Sequence, residues 1–312
     1  MKVVVSGGTG FIGRALCRSL VRQGMDVTVL SRHPLQAKAV LDPSIKVVEW
    51  DAVRPGPWES ELDGAHAAIN LAVAPIAEGR WTAKRKRLIV DSRVKATHLL
   101  VEALSRLAHK PRVLISASGV GYYGPSVDKT FVEADGSGSD FLAQLCVAWE
   151  RAALAAQPVG VRVVCLRTGM VLEKDGGALA KMLPPFRAFV GGPIAPGTQW
   201  ISWIHRADLI GLIEWILANP RVSGPVNAVA PDPVTMREFC RIVGKVLHRP
   251  SWLPVPESVL RLAFGELASV MTTGQRVFTK LTLDGGYQFR FPRLEPALQS
   301  ILAKTPTSEV WS

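Results

Sequence analysis

The chain has 312 residues, enough for one large α/β domain or for a larger and a smaller one. Apolar residues make up 48% and charged residues 20%, which excludes a disordered chain, and no run reaches the roughly 18 uninterrupted apolar residues of a membrane helix. The net charge of +11 is spread along the chain, with one dense run at Lys84-Arg85-Lys86-Arg87, so it reads as a positive field for phosphorylated small molecules; nothing beyond charge points to nucleic acid.

Short β-branched runs alternate with longer amphipathic segments, the pattern of parallel α/β structure. A strand over Val3–Ser6 leads through a glycine turn into a helix over Ile12–Arg22, and strands follow at Val27–Leu30, Val47–Glu49 and Ala67–Leu71. Next come one long helix over Lys84–Leu107, a strand at Val113–Ser116, a helix over Asp140–Ala156 and a strand at Val161–Arg167. Glycine and proline are dense from Gly176 to Gly197, which reads as a long loop over a ligand cleft. A helix over Ala207–Ala218, a strand at Val226–Ala230 and a helix over Met236–Leu247 complete the regular pattern; from Trp252 the elements are short. The apolar strands suit a sheet covered on both faces.

The four cysteines, Cys17, Cys146, Cys165 and Cys240, stand far apart with no Cys-x-x-Cys pair, so they read as buried reduced thiols. The six histidines show no metal-ligand spacing, so no metal is expected. With no secretory signal pattern at the first residues, the expected location is the cytoplasm.

Gly7, Gly10 and Gly13 follow the first strand at the spacing of a dinucleotide-binding turn. Gly7 permits the tight turn, Gly10 lets the backbone approach a diphosphate, and Gly13 lets the helix pack close. Thr9, Phe11 and Ile12 complete the loop, and the helix start offers free N–H groups to phosphate. An NAD site carries an acidic residue about 20 residues further on. Here Ser31, Arg32 and His33 stand there instead, and an arginine pairs with a 2′-phosphate, so NADP(H) is expected in preference to NAD(H). Asp51 is either an acceptor for the adenine amino group or an ordinary turn aspartate. At Asn70, Leu71 and Ala72, small side chains would let the backbone lie along the cofactor.

Gly7-Gly8-Thr9-Gly10-Phe11-Ile12-Gly13 resembles the fingerprint of the extended short-chain dehydrogenases/reductases, the NAD-dependent epimerase/dehydratase family. Ser92-Arg93-Val94, Ser116 to Gly124, Trp203-Ile204-His205 with Asp208, and Phe289-Arg290-Phe291-Pro292 are similar to one branch, the epimerase family proteins with a C-terminal domain of unknown function. The resemblance implies a Rossmann-type, doubly wound parallel sheet of about seven strands with a smaller C-terminal α/β substrate lobe. Residues 1–170, with 203–231 returning, would form the NADP-binding domain; 171–202 and 232–312 would form the lobe. It also places Arg93 and Arg167 near the cofactor.

The family's chemistry implies a proton-transferring tyrosine, a lysine four residues later that favours tyrosinate, and a serine or threonine that polarises the substrate oxygen. Ser118 matches the serine. Anchored on Glu150, the other two positions fall near Leu142 and Cys146. The chain has three tyrosines, and Ser126, Val127 and Phe291 stand four residues after them, so no Tyr-x-x-x-Lys exists. Tyr122 and Tyr123 are replacement proton donors or packing residues. His205 reads as a helix cap or a general acid at the substrate, beside Trp203; Arg187 could hold a phosphorylated or nucleotide-linked substrate. Two functions follow: an NADP(H)-dependent oxidoreductase or epimerase-like enzyme on a carbonyl or hydroxyl compound, and a non-catalytic NADP(H)-binding sensor or scaffold.

Overall fold

Seven strands form the central sheet: β1 (Lys2–Ser6), β2 (Asp26–Ser31), β3 (Lys46–Glu49), β4 (Ala67–Asn70), β5 (Val113–Gly119), β6 (Arg162–Thr168) and β7 (Gly224–Ala228). The computed structural model describes residues 1–303. The sheet order is β7-β6-β5-β4-β1-β2-β3, with every neighbouring pair parallel. This is the Rossmann order: the chain runs outward from β1 in one direction, then returns and continues from β4 in the other. The reversal leaves a crevice at the carboxyl ends of β1 and β4, where loops diverge to opposite faces.

Alternation along the strands divides the core. Val3 and Val5 pack with Leu16 and Leu20 of α1 (Gly13–Arg22) and with Leu209 and Ile213 of a later helix, Arg206–Ala218. Val4 points the other way, into a core shared with Ala96, Leu100 and Leu104. Both faces are therefore dry, which explains the near-continuous apolar strands.

The chain between Lys84 and Leu107 is two helices. After α2 (Pro34–Val40), α3 (Ala83–Asp91) ends at Ser92 and α4 (Val94–Arg106) starts anew. Two side chains hold the break. Ser92 Oγ accepts from Ala74 N–H at 3.2 Å, and Arg93 Nη1 donates to the carbonyls of Ala74 and Ile89 at 3.0 and 3.1 Å. Helix α5 (Phe141–Leu154) follows, capped by Asp140 Oδ1.

The Gly176–Gly197 stretch is not a loop over the cleft. It contains α6 (Gly177–Arg187), and Leu179, Leu183 and Phe186 are buried in a separate core. Pro184 and Pro185 lie inside that helix and obscured its spacing of apolar residues. The separate core joins α6 to Trp203, to Phe239 and Val243 of α8 (Met236–Leu247), and to Leu298 near the end of the described chain; α7 is Arg206–Ala218. Short strand pairs tie this part to the sheet domain: Met170–Leu172 with Trp203–His205, and Thr130–Phe131 with Arg276–Val277. The C-terminal short elements are α9 (Glu257–Phe264), α10 (Ala268–Thr272), α11 (Lys280–Asp284) and α12 (Leu294–Leu302). Residues 304–312, the end of the expected lobe, lie outside the described residues. Among the described residues no helix is long and apolar enough to cross a membrane.

Candidate functional site

A cleft of about 1440 Å³ opens at the carboxyl ends of the strands and runs from the glycine turn to α5 and α10. At its first end the glycine turn is built without spare room. Gly7 has φ +73°, and a Cβ there would lie 2.7 Å from Ala72 N. A Cβ on Gly13 would lie 2.1 Å from Gly7 O and 2.7 Å from Gly8 Cα. Gly10 differs, because its Cβ would meet only Gly7 O, at 3.2 Å. Helix α1 starts with no side-chain cap and no acidic residue in its first turn; Gly10 and Arg14 N–H donate to the carbonyls of Gly7 and Gly10, and the remaining amides of the turn are left to an incoming anion. Thr9, Phe11 and Ile12 line the cleft with the three glycines.

Ser31, Arg32 and His33 follow β2 and line the same end. Arg32 is exposed and forms no ion pair among the described residues. Asp51 also lines the cleft, but its oxygens are committed. Oδ1 accepts from Val53 and Arg54 N–H at 2.8 and 3.0 Å, and Oδ2 accepts from Arg54 Nε at 3.0 Å. Those backbone bonds, with Arg54, hold its carboxyl down to about 2. Trp50 beside it keeps a buried indole N–H with no partner among the described residues. Asn70 is buried off the cleft: it accepts from Ser6 Oγ at 2.7 Å and donates to Thr97 Oγ1 at 2.9 Å, while Leu71 and Ala72 line the wall.

At the far end Ser118 Oγ donates to Glu150 Oε1 at 2.7 Å. Glu150 in turn accepts from Arg167 Nε and Nη2, each at 2.8 Å. Burial opposes the Arg167 charge, but the bonds and charge of Glu150 override it and hold the guanidinium firmly protonated. Ser118 lines the cleft; its hydroxyl proton is directed away from it, so towards a ligand this oxygen acts as an acceptor. Ser269, Thr273 and Gln275 form the opposite wall, from the C-terminal part of the chain.

The family model described as NAD dependent epimerase/dehydratase matches residues 3–229, and a domain of unknown function, DUF1731, matches residues 255–301. The chain belongs to the NAD-dependent epimerase/dehydratase family. It is 41% identical to the chloroplastic epimerase family protein SDR39U1 homolog of Arabidopsis thaliana, over 97% of this chain and 87% of that one. It is 39% identical to the epimerase family protein YfhF of Bacillus subtilis (strain 168), over 98% and 100%. Among solved structures, the human epimerase family protein SDR39U1 (isoform 2) with NADPH superposes with a TM-score of 0.86 at 36% identity, covering 96% of this chain and 99% of that one.

Leu142 and Cys146, the positions expected for tyrosine and lysine, both face the cleft. Burial pushes the Cys146 thiol up to about 11, so it is a neutral, space-filling group at neutral pH. The two tyrosines do not fill the gap. Tyr123 is 3% exposed and lies off the cleft; it donates to Asn227 Oδ1 at 2.7 Å and accepts from Arg167 Nη1 at 3.0 Å. Burial pushes its phenol up to about 12. The ring of Tyr122 is covered by the Arg167 guanidinium, 3.4 Å from its centroid.

The residues expected at the substrate sit elsewhere. Arg187 is exposed at the end of α6. Trp203 is fully buried in the separate core and donates to Asp232 O at 2.8 Å. His205 caps α7 by accepting from Ala207 N–H at 3.0 Å and stacks on Phe291 at 4.1 Å. Burial lowers its imidazole to about 4, so at pH 7 it is neutral and not the imidazolium that a general acid requires. Arg167 is likewise enclosed in its ion pair, whereas Arg93 lines the cleft. Sequence reasoning missed Glu150 as the partner of both Ser118 and Arg167. It also missed Trp81 and Arg85, and the wall from Glu266 to Gln275. No local signal marks these, because each acts across a long stretch of chain.

Proposed function

We propose that the chain binds NADP(H) in this cleft and works as an oxidoreductase on a small carbonyl or hydroxyl compound, without the tyrosine–lysine pair of its family. The observation that carries the reading is the uncapped amino end of α1 behind a glycine turn too tight for side chains, at the head of a cleft that ends at Ser118. Gly7, Thr9, Gly10, Phe11, Ile12 and Gly13 would hold the diphosphate. Arg32, with Ser31 and His33, would hold the 2′-phosphate, since no acidic side chain stands there to reject it. Leu71 and Ala72 would lie along the cofactor. The human relative solved with NADPH supports the cofactor choice.

When bound, NADPH supplies a hydride. Ser118 would accept from a substrate hydroxyl, because its own proton is held by Glu150. We also divide the chain into a cofactor domain, 1–170 with 203–231, and a substrate lobe; the separate core around Phe186 and Phe239 supports that division. A cytoplasmic location is supported by the four buried free thiols.

Fluorescence titration with NADPH and NADH tests the cofactor; NADH binding as tightly as NADPH refutes the role of Arg32. A panel of hydroxyl compounds with oxidised NADP, and of the matching carbonyl compounds with NADPH, then tests turnover, and Ser118→Ala is expected to abolish turnover of the hydroxyl compounds while leaving cofactor binding intact. A second reading, an NADP(H) sensor or scaffold, is favoured by one observation: Leu142 and Cys146 present no proton donor to the cleft. Tight NADPH binding with no turnover across the panel selects it.

A further inference from the structure

Two arginines are almost fully enclosed, Arg93 at 4% exposure and Arg167 at 3%, and they are satisfied differently. Arg167 turns its Nε and Nη2 edge to Glu150 and donates to both carboxylate oxygens. That edge is the side-on fork whose spacing matches two oxygens of a carboxylate or phosphate. Arg93 donates through Nη1 alone, to the carbonyls of Ala74 and Ile89 and to Ser92 Oγ at 3.4 Å. Among the described residues nothing bonds to its Nε–Nη2 edge.

Among the described residues no acidic side chain pairs with Arg93 either. Asp91 pairs with Lys95, Glu150 with Arg167 and Glu78 with Arg85, and of the titratable neighbours that bear on Arg93, Cys146 is uncharged at neutral pH and Arg85 is another cation. Arg85 lines the same cleft; its Nη2 pairs with Glu78 at 3.4 Å and donates to Pro75 O, while its buried Nε has no partner among the described residues. Burial lowers the Arg93 guanidinium to about 10, which leaves it charged at neutral pH. Its position is held firmly: the Nη1 bonds fix one side, and the Trp149 ring lies 5.3 Å away. A desolvated cation with no counter-ion is unfavourable, and a fork kept open on a cleft is the arrangement that a bound oxyanion completes.

We infer that the Nε–Nη2 edge of Arg93 is a binding site for an oxyanion of the substrate, a carboxylate or a phosphate. Arg167 and Glu150 show within the same molecule how such an edge is filled. Calling the ligand a substrate rests on the cofactor reading above; the oxyanion site itself does not. Ser118 and Cys146 line the same cleft, so the anionic group would anchor a molecule whose hydroxyl lies at Ser118.

The test is calorimetric titration of the full chain with inorganic phosphate and with succinate, with and without saturating NADPH. The wild type is expected to bind at least one of them, and Arg93→Gln to bind it about thirtyfold more weakly or worse. Arg93→Lys should retain part of the affinity, and NADPH binding should stay within about twofold of wild type in both variants. Loss of NADPH affinity in Arg93→Gln, with NADPH displacing the anion from the wild type, would assign the fork to the cofactor diphosphate and overturn the substrate assignment. Wild-type protein that binds neither anion overturns the site, whatever the variants do. Protein that binds an anion through Arg93 but not NADPH keeps the site and rejects the cofactor reading.

Discussion

Gly10 and Gly13 differ by three positions and are expected to fail in different ways when replaced by alanine. In Gly13→Ala the new Cβ would lie 2.1 Å from Gly7 O and 2.7 Å from Gly8 Cα, both backbone atoms that no rotamer change can move. Alanine inside a helix gains about 1 kcal/mol over glycine in propensity, but forced overlap of this kind costs about 1–3 kcal/mol and more against fixed backbone, so the overlap wins. At about 2–4 °C per kcal/mol for a chain of comparable size, Tm should fall by several degrees. The turn would shift as well, and NADPH affinity should drop with it. In Gly10→Ala the Cβ would meet only Gly7 O, at 3.2 Å, and otherwise open cleft. Its Tm without ligand should match wild type within about 1–2 °C. NADPH affinity should still fall about tenfold or more, because a methyl group would hold the diphosphate off the amides and weaken one or more charge-assisted bonds. Differential scanning fluorimetry reads the first quantity and NADPH fluorescence titration the second. A Gly10→Ala protein that binds NADPH as wild type does would show that the diphosphate rests elsewhere; a Gly13→Ala protein of undiminished Tm would refute the close packing of α1 on the turn.

Arg32→Ala should weaken NADPH binding about tenfold and leave NADH binding unchanged, since only the 2′-phosphate is lost as a partner; equal losses for both would refute the assignment. Tyr123→Phe removes the bond to Asn227 and one acceptor from Arg167 inside the core, so stability should fall by about 1–3 kcal/mol in urea unfolding while the Kd for NADPH stays within about twofold; a large change in Kd would place the phenol at the cofactor after all. His205 has its folded pKa depressed from 6.5 to about 4, so between those values the unfolded chain binds the extra proton, and the stability His205 contributes is lost as pH falls through that window. His205→Asn, which keeps a capping acceptor, should flatten the fall in unfolding free energy between pH 6.5 and 4; an unchanged slope would show that other groups set it.

The glycine turn at the head of the cleft was legible in the sequence because its causes are local. Gly7, Gly10 and Gly13 act through backbone conformation and close approach within one turn, and the seven apolar strands and most helices carry their own periodicity. That Arg32 rather than an acidic residue follows β2 is likewise a matter of a fixed offset along the chain. The lack of a Tyr-x-x-x-Lys pair is also a statement about spacing, and needs no fold. Other features were decided only by tertiary contact. Ser92 and Arg93 look like the middle of one helix until Ala74, from the preceding loop, supplies the groups that break it. Ser118, Glu150 and Arg167 come from three separate elements, and their union withdraws Tyr123 into the core. Helix α6 was hidden by its own prolines and is stabilised by the apolar residues it buries against α8. Chain order records which groups are near in sequence; which distant polar groups share a dry interior, and therefore which charge is left without a partner, is set when the layers close on one another.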